Sequence, residues 1–236
     1  YDPNMIIVAG DTSTSINTVA VCRDDAILAE TVVDCGRTHA ERLLDTITWV
    51  LGEAGMSLNQ VDALAISTGP GSFTGLRVGL ATWKGLALGQ DLPLVGVPTL
   101  AALSRLPAMN DGVCCPMLDA RMGEVFAAAY RFESGVRSPV LADCVAPVEK
   151  VAEALHTHES VTVFGDGVGV SEARIRASLP SCRVLPRTFW PPRASAVSAE
   201  AREMLLAGWN AEAATVRPVY LRKSQAEQNR ERVEHP

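Results

Sequence analysis

The six cysteines, Cys22, Cys35, Cys114, Cys115, Cys144 and Cys182, include no C-x-x-C pair, and two of them are adjacent. Such spacing reads as reduced thiols rather than a disulfide framework. No signal-peptide pattern precedes the first predicted strand, so a cytoplasmic protein is expected. An excess of Lys and Arg is missing too: a net charge of −6 argues against a chain that grips nucleic acid by itself, because neutralising phosphates needs concentrated cations, though it leaves room for a local basic patch. The longest apolar helical pattern is interrupted by Arg77 and Lys84, which argues against a membrane span. What remains is an α/β composition of 236 residues, enough for one large or two modest domains with a proper core. Tyr1 to Asn4 read as residues added ahead of a natural start at Met5.

The densest signal runs from Ile66 to Leu88, ISTGPGSFTGLRVGLATWKGLAL. Val61 to Ile66 reads as a short apolar strand. Gly69, Pro70 and Gly71 force a tight turn, and Ser72 stands at a helix N-cap with Thr74 and Arg77 in the first turns. Glycines let a backbone approach a ligand, and free amides at a helix start attract an anion. The spacing is G-x-G-x-x-x-G (Gly69, Gly71, Gly75), which is neither the dinucleotide fingerprint nor a P-loop, and Lys84 lies several turns away. The turn therefore reads either as an ordinary strand-to-helix connection or as a ligand loop.

The helix behind it carries Phe73, Leu76, Leu80, Ala87 and Leu88 at helical spacing. Val78, Ala81, Trp83 and Leu86 put apolar groups on the other faces, as expected of a helix buried in a large core or against a partner. Gly75 and Gly79, then Ala81, Gly85 and Gly89, form small-residue rows that let another helix come close.

In chain order, strands are expected over Met5 to Gly10, Thr18 to Cys22 and Ile27 to Val33, joined by tight turns as an antiparallel meander. An amphipathic helix follows over His39 to Ala54, closed by Gly55. Then come the strand and helix already described, a strand over Leu94 to Val97 and a helix over Thr99 to Leu106. After Pro107 the order begins again: strands Val113 to Leu118, Glu124 to Tyr130 and Val140 to Val145, helix Val148 to His156 and strand Val161 to Phe164. A turn is expected at Gly165, Asp166 and Gly167, then a helix over Val170 to Leu179. Two halves of β-β-β-α-β-α predict an α/β fold of two ribonuclease H-like lobes. The boundaries expected are 5–106 for the first lobe, joined by 193–222, and 107–192 for a smaller second lobe. Residues 195–207 read as a helix, 216–221 as a strand-like run, and 223–236 as a polar, disordered tail.

Each half ends its first strand on a carboxylate, Asp11 and Asp119, and follows its fourth strand with a glycine turn. Ligands collect at the carboxyl ends of strands in open α/β sheets. Two such ends facing across a cleft is the arrangement of the sugar kinase, heat-shock ATPase and actin superfamily, where carboxylates hold magnesium or its waters. Asp11 also reads as a turn cap beside Thr12 and Ser13.

DTSTS at Asp11 to Ser15, RTHAERLL at Arg37 to Leu44, the Ser67 to Leu88 stretch, LVGVPTLAAL at Leu94 to Leu103, LDARMGEVF at Leu118 to Phe126, GDG at Gly165 to Gly167 and RPVYLR at Arg217 to Arg222 together resemble the TsaB (YeaZ) family over nearly the whole chain. The resemblance implies a subunit of the bacterial machinery that makes N6-threonylcarbamoyladenosine at position 37 of tRNA. It implies pairing with the transferase TsaD, of which TsaB is a paralogue, with the ATPase TsaE joining, and contact with tRNA only through the complex. A homodimer is expected when the chain is alone.

TsaD-type enzymes hold their metal with an H-x-x-x-H pair, and His39, His156, His158 and His235 supply none. No metal, no catalytic residue and no firm cofactor are therefore expected. An inherited, weak or lost ATP and magnesium site is left to Asp11, Thr12, Ser13, Gly69, Gly71, Ser72, Gly165 and Gly167. An autonomous ATPase or kinase would use these same residues, but a catalytic base and a fuller nucleotide motif are missing. A peptidase lacks both the metal pair and a nucleophile with its base. The expected partner surface comprises His39, Leu43 and Ile47 on one helix and Phe73, Gly75, Leu76, Gly79, Ala81, Thr82 and Gly85 on the other.

Overall fold

The structure, a computed structural model, describes residues 4–36, 39–106 and 111–222, the side chains of residues 39–41 excepted. The expectations for Tyr1, the His39 side chain, His235 and the tail lie outside the described residues. In the first half, β1 (Ile6–Asp11), β2 (Ile16–Arg23) and β3 (Ala26–Asp34) form the meander. There follow α1 (His39–Glu53), β4 (Ala63–Gly69), α2 (Phe73–Gln90), β5 (Leu94–Pro98) and α3 (Thr99–Ser104). The second half repeats the order with β6 (Gly112–Asp119), β7 (Glu124–Glu133), β8 (Val136–Pro147), α4 (Val148–Leu155), β9 (Val161–Phe164), α5 (Asp166–Ser178), β10 (Arg183–Val184) and α6 (Ala194–Leu206).

The two sheets run β3-β2-β1-β4-β5 and β8-β7-β6-β9-β10, the same order twice. In each, the first strand is antiparallel to the second and parallel to the fourth. Period-two alternation explains how the first sheet is covered on both faces. Val8, Val19, Val21, Leu64 and Ile66 point to α1 and α2, where Leu43, Ile47, Leu80 and Trp83 meet them. Ile7, Ala9, Ala20, Ala65 and Val97 point the other way, onto Val197, Ala201 and Leu205 of α6. In the second sheet, Val113, Cys115, Met117 and Val163 pack on Val151, Leu155, Val168 and Ile175 of α4 and α5.

The opposite face of the second sheet is covered by α3: Leu100 and Leu103 join Leu118, Phe126, Ala128 and Phe164 in one core cluster. Every residue of α3 is buried. Conversely α6, which follows the last strand of the second sheet, packs on β1, β2 and β5 of the first. Each half thus lends its last helix to the other.

Several boundaries differ from expectation. Helix α5 starts at Asp166, not Val170, so Gly165 is its N-cap and Gly167 lies in its first turn. Residues 216–221 join no ladder. They run as an extended segment whose Val219 amide donates to Thr68 O at 2.8 Å. Strand β4 begins at Ala63, two residues later than read, and β8 at Val136, four residues earlier than read, because Pro139 sits on an edge strand where its missing N–H costs no interior ladder bond.

The halves are also pinned electrostatically. Glu200 of α6 is buried and accepts from Arg105 Nε at 2.5 Å and from Arg137 Nη2 of β8 at 2.7 Å. Arg137 further donates to Ala101 O at 3.0 Å and Ser104 Oγ at 3.2 Å. Burial alone would raise the Glu200 carboxyl, but the Arg137 and Arg105 guanidiniums outweigh it and hold it below its ordinary value. A folded value below the unfolded one means the stabilisation is present above about pH 4.5 and is lost as pH falls through the folded value. Glu200→Gln leaves Arg137 without a carboxylate and Arg105 with Glu203 alone, and should cost about 1.5–3 kcal/mol in urea unfolding. The variant's stability should also depend less on pH below about 4.5 than the wild type's.

Candidate functional site at the glycine turn and helix α2

The first strand ends on a buried Asp11 whose Oδ1 accepts from Ser13 N and Ser13 Oγ, both at 2.8 Å. This is the Asx geometry that short acidic residues favour at turns. The turn it shapes meets the start of α2 directly. Ser13 O accepts from Ser72 N at 2.6 Å, Thr12 Oγ1 donates to Gly75 O at 2.8 Å, and Ser72 Oγ caps Gly75 N at 3.3 Å. A Cβ on Gly71 or Gly75 would come within 3.0 Å of the Ser13 or Thr12 carbonyl, and one on Gly79 would strike Thr12 Oγ1. At Gly69, φ is 122°, a conformation that side-chain-bearing residues avoid, and its open side faces Val219 O.

Asp11, Thr12, Ser13, Gly69, Gly71 and Ser72 are therefore brought together as the sequence suggests. Of the two readings of the turn, the geometry shows an ordinary strand-to-helix connection closed by its own contacts. The close approach that the glycines allow is used by the chain's own backbone, and Ser72 N and Gly75 N are already bonded.

The second lobe repeats the device. Gly165, at φ 107°, lies against the Met117 carbonyl, and Gly167 against Leu118. Asp166 Oδ1 accepts from Asp119 N at 2.9 Å, while Asp119 Oδ1 accepts from Arg121 N at 2.7 Å. Burial raises the Asp166 carboxyl, and the Asp119 charge adds to that. Both lobes thus spend their strand-end carboxylates on capping turns.

Between the two lies a strap formed by residues 211–222. Ala211 O accepts from Leu94 N at 2.8 Å, Val216 sits over Gly96, and Val219 crosses Gly69. Tyr220 stacks on Phe73 with centroids 4.8 Å apart and its hydroxyl accepts from Arg77 Nε at 3.0 Å. Leu221 enters the core cluster shared with the second sheet, and Arg222 donates to Ala120 O at 2.6 Å and pairs with Glu124. The strap thus runs from one glycine turn to the other lobe, across the carboxyl ends of the strands.

Of the residues expected on a partner surface, Leu43, Ile47, Gly75, Leu76 and Gly79 are buried within the lobe. Their apolar or small side chains face β1, β2 and β4, so they cannot meet a partner. The helix is not buried all round. Ala81 and Gly85 are exposed, with Arg77, Leu88 and Gly89 beside them, and Phe73 and Thr82 are half-buried. Nothing lies within 4 Å of a Cβ at Gly85 or Gly89. Leu88 is 73% exposed, and Leu44 and Trp49 of α1 are 57% and 55% exposed.

Sequence reasoning missed Glu200, the bond from Asp119 to Asp166, and the course of residues 211–222 as a strap. Glu200 had a signal, a carboxylate set among Val197, Ala201 and Met204 on the apolar stripe of α6. Burial pushes the Cys22 thiol up to about 11 and Cys114 to about 12, and Cys115 well above its ordinary value, so these thiols stay protonated at neutral pH. Among the described residues no three His, Cys, Asp or Glu side chains are grouped to hold a metal, and no helix is long and apolar enough to cross a membrane.

A family model described as TsaD, tRNA N6-adenosine threonylcarbamoyltransferase, matches residues 33–230. YeaZ from Pseudomonas aeruginosa superposes with a TM-score of 0.79 at 30% identity, covering 92% of this chain and all of that one. The chain belongs to the TsaB (YeaZ) family. Its match to the TsaD model fits the paralogy of the two proteins. The tRNA threonylcarbamoyladenosine biosynthesis protein TsaB of Escherichia coli is 41% identical over 135 residues, 56% of this chain and 58% of that protein. The matched segments span 58% to 61% of the curated TsaB relatives. The ethanolamine utilization protein EutJ of Carboxydothermus hydrogenoformans, at 16% identity and a TM-score of 0.52 over 85% of this chain, shares the fold. That fold is an α/β architecture of two lobes, each with a five-stranded sheet of the same strand order.

The packing separates two kinds of glycine on one helix. Gly75→Ala should lower stability by about 1–3 kcal/mol, because the new methyl meets a backbone carbonyl. Gly85→Ala should raise it by up to about 1 kcal/mol through helix propensity alone. Thermal and urea unfolding of the two variants check both signs.

Proposed function

We propose that this chain is a non-catalytic, cytoplasmic subunit of the machinery that installs N6-threonylcarbamoyladenosine in tRNA. It binds a TsaD-type transferase and supports it together with a TsaE-type ATPase, and it reaches tRNA only within that complex. The observation that carries this reading is the outer face of α2 in a TsaB family member. Ala81, Gly85 and Gly89 recur at four-residue spacing with open space above the glycines, and Leu88 stands 73% exposed beside them. A row of small residues lets a second helix approach to the short end of the usual 8–10 Å interaxial range. An exposed apolar neighbour then gives that approach a hydrophobic gain.

In this reading the first lobe, residues 5–106 with 193–222, carries the docking face, and the second, 107–192, buttresses it. The names of the relatives support a role in the modification pathway. Among the described residues, the protonated Cys114 and Cys115 thiols and the turn-capping Asp11 and Asp119 carboxylates support the non-catalytic reading. An autonomous ATPase would need its nucleotide at the strand ends, where the strap and Ser13 already contact the glycine turn.

Reconstitution on unmodified tRNA tests the proposal, with the other components present and this chain added or withheld. Modification should depend on the chain. Equal modification without it, or turnover of ATP by the chain alone, would count against the reading. Ala81→Glu and Gly85→Glu should each abolish co-purification with the transferase subunit and leave the melting temperature of the isolated chain within about 3 °C, because surface substitutions away from packed features stay within about 0.5 kcal/mol.

A further inference from the structure

The face of the second sheet that α3 covers is longer than the helix. With six residues α3 spans about 9 Å, while β6 with eight residues runs about 26 Å. Among the described residues its cover gives out towards Gly112, at the opposite end of the sheet from Asp119 and Gly165. There a cavity of about 470 Å³ opens, with Leu106, Phe132, Leu185 and Phe189 as its apolar wall. Phe132 and Leu185 are buried, and Phe189 is 51% exposed at the rim. Strand register sets the floor. Cys114 pairs with Thr162 and Thr162 with Arg183, so three side chains stand in a row on one face of β6, β9 and β10. The hydroxyls of Ser160, Thr162 and Ser181 and the Arg183 guanidinium line the cavity, and among the described residues none of these four side chains has a protein partner. Asp111 is the one carboxylate among the lining residues, and its Oδ1 already accepts from Ser134 N at 2.8 Å. The Cys114 thiol points to Ser104 O at 3.6 Å and burial pushes it up to about 12, so the floor carries no thiolate at neutral pH.

We infer that this cavity is a binding site for a small amphipathic monocarboxylate, with its carboxylate on Arg183, Thr162 and Ser181 and its apolar body against Phe132 and Leu185. The inference is independent of the docking reading above. An apolar wall with a few convergent polar groups is the usual make-up of a small-molecule site, and the volume lies within the usual range of about 300–1,000 Å³. It is about three times the roughly 150 Å³ that admits benzene, which leaves room for a ligand on the order of a dozen non-hydrogen atoms. The chemistry of the head follows from the lining. A guanidinium fork takes two carboxylate oxygens side by side, and hydroxyls donate to the remaining lone pairs. One guanidinium answers one negative charge, so a monoanion fits where a phosphate ester carrying close to two would be left short. A cationic head would face Arg183 and find only Asp111, which is already engaged.

Octanoate is the probe, titrated into the full chain by calorimetry, with amide shifts of the isotope-labelled chain locating it. It should bind with shifts centred on residues 112–114, 160–163 and 181–185. Affinity should fall about three- to fourfold for each methylene removed on going to hexanoate and butanoate. Octanol and octylammonium, which keep the chain and lose the negative head, should bind about tenfold or more weaker. Arg183→Met should weaken octanoate by about the same tenfold or more and leave octanol unchanged. Arg187→Met removes a neighbouring guanidinium that lies over the Trp190 ring instead, and should change neither. Both arginines are exposed, and an unchanged melting temperature without ligand checks that each variant is folded. Octanoate bound no better than octanol, or an affinity indifferent to Arg183→Met, would overturn the inference. So would shifts centred away from the cavity, tighter binding of octyl phosphate than of octanoate, or no octanoate binding at about 10 mM.

Discussion

The close approach of α2 to the end of β1 sets the rest of the molecule. Gly75 and Gly79 lie on the Thr12 backbone and hydroxyl, and Gly10 of β1 receives the Trp83 ring in return. None of the three positions admits a methyl without moving its neighbour, so the helix has one rotation about its axis and one distance from the sheet. With 3.6 residues per turn, fixing Gly75 and Gly79 inward turns Ala81 and Gly85 to the outside. The two rows of small residues are chemically alike, yet one closes the core and the other is left open.

That difference shows where the sequence was legible and where it was not. The repeated β-β-β-α-β-α order could be read because alternation and helical spacing are local signals, and the sheets bear it out strand by strand. The family could be read because LDARMGEVF and the Ser67 to Leu88 stretch are long and specific, and YeaZ superposes on nearly the whole chain. The facing of α2 could not be read, because nearly every position on it is apolar or small and its periodicity points nowhere. Choosing a face required knowing that Thr12, sixty-three residues before Gly75, would bond it. The strap failed for the opposite reason: Val216 to Leu221 has a strand's composition, but its partners are a glycine turn, an aromatic ring and the other lobe, which no local pattern encodes.

The same long-range bonding bears on whether the two lobes work as a hinge. Two-lobed nucleotide enzymes close around their ligand by letting a few connecting residues absorb the motion. Here α3 is buried against both sheets, α6 crosses from one half to the other, and Glu200 binds guanidiniums from α3's end and from β8. Opening these contacts would expose Leu100 and Leu103 and strand buried charge, at a cost of several kcal/mol. The strap adds a second tie at the other end, from Gly69 to Ala120. The joint between the two lobes is packed at both ends.

In the docking reading proposed above, the outer side of α2 carries two kinds of side chain, small residues and cations. Small residues decide how near a helix can come, but they discriminate poorly, since any helix with modest side chains fits a shallow groove. Charge discriminates well at small gain in affinity, because attraction to one partner and repulsion from another differ in sign. Arg77 and Arg217 are held by an aromatic ring and by carbonyls rather than by carboxylates, which fixes their positions without neutralising them. The aromatic and hydroxyl contacts therefore hold Arg77 in place without neutralising it, and the strap crossing the start of α2 brings Tyr220 beside Arg77 and Phe73.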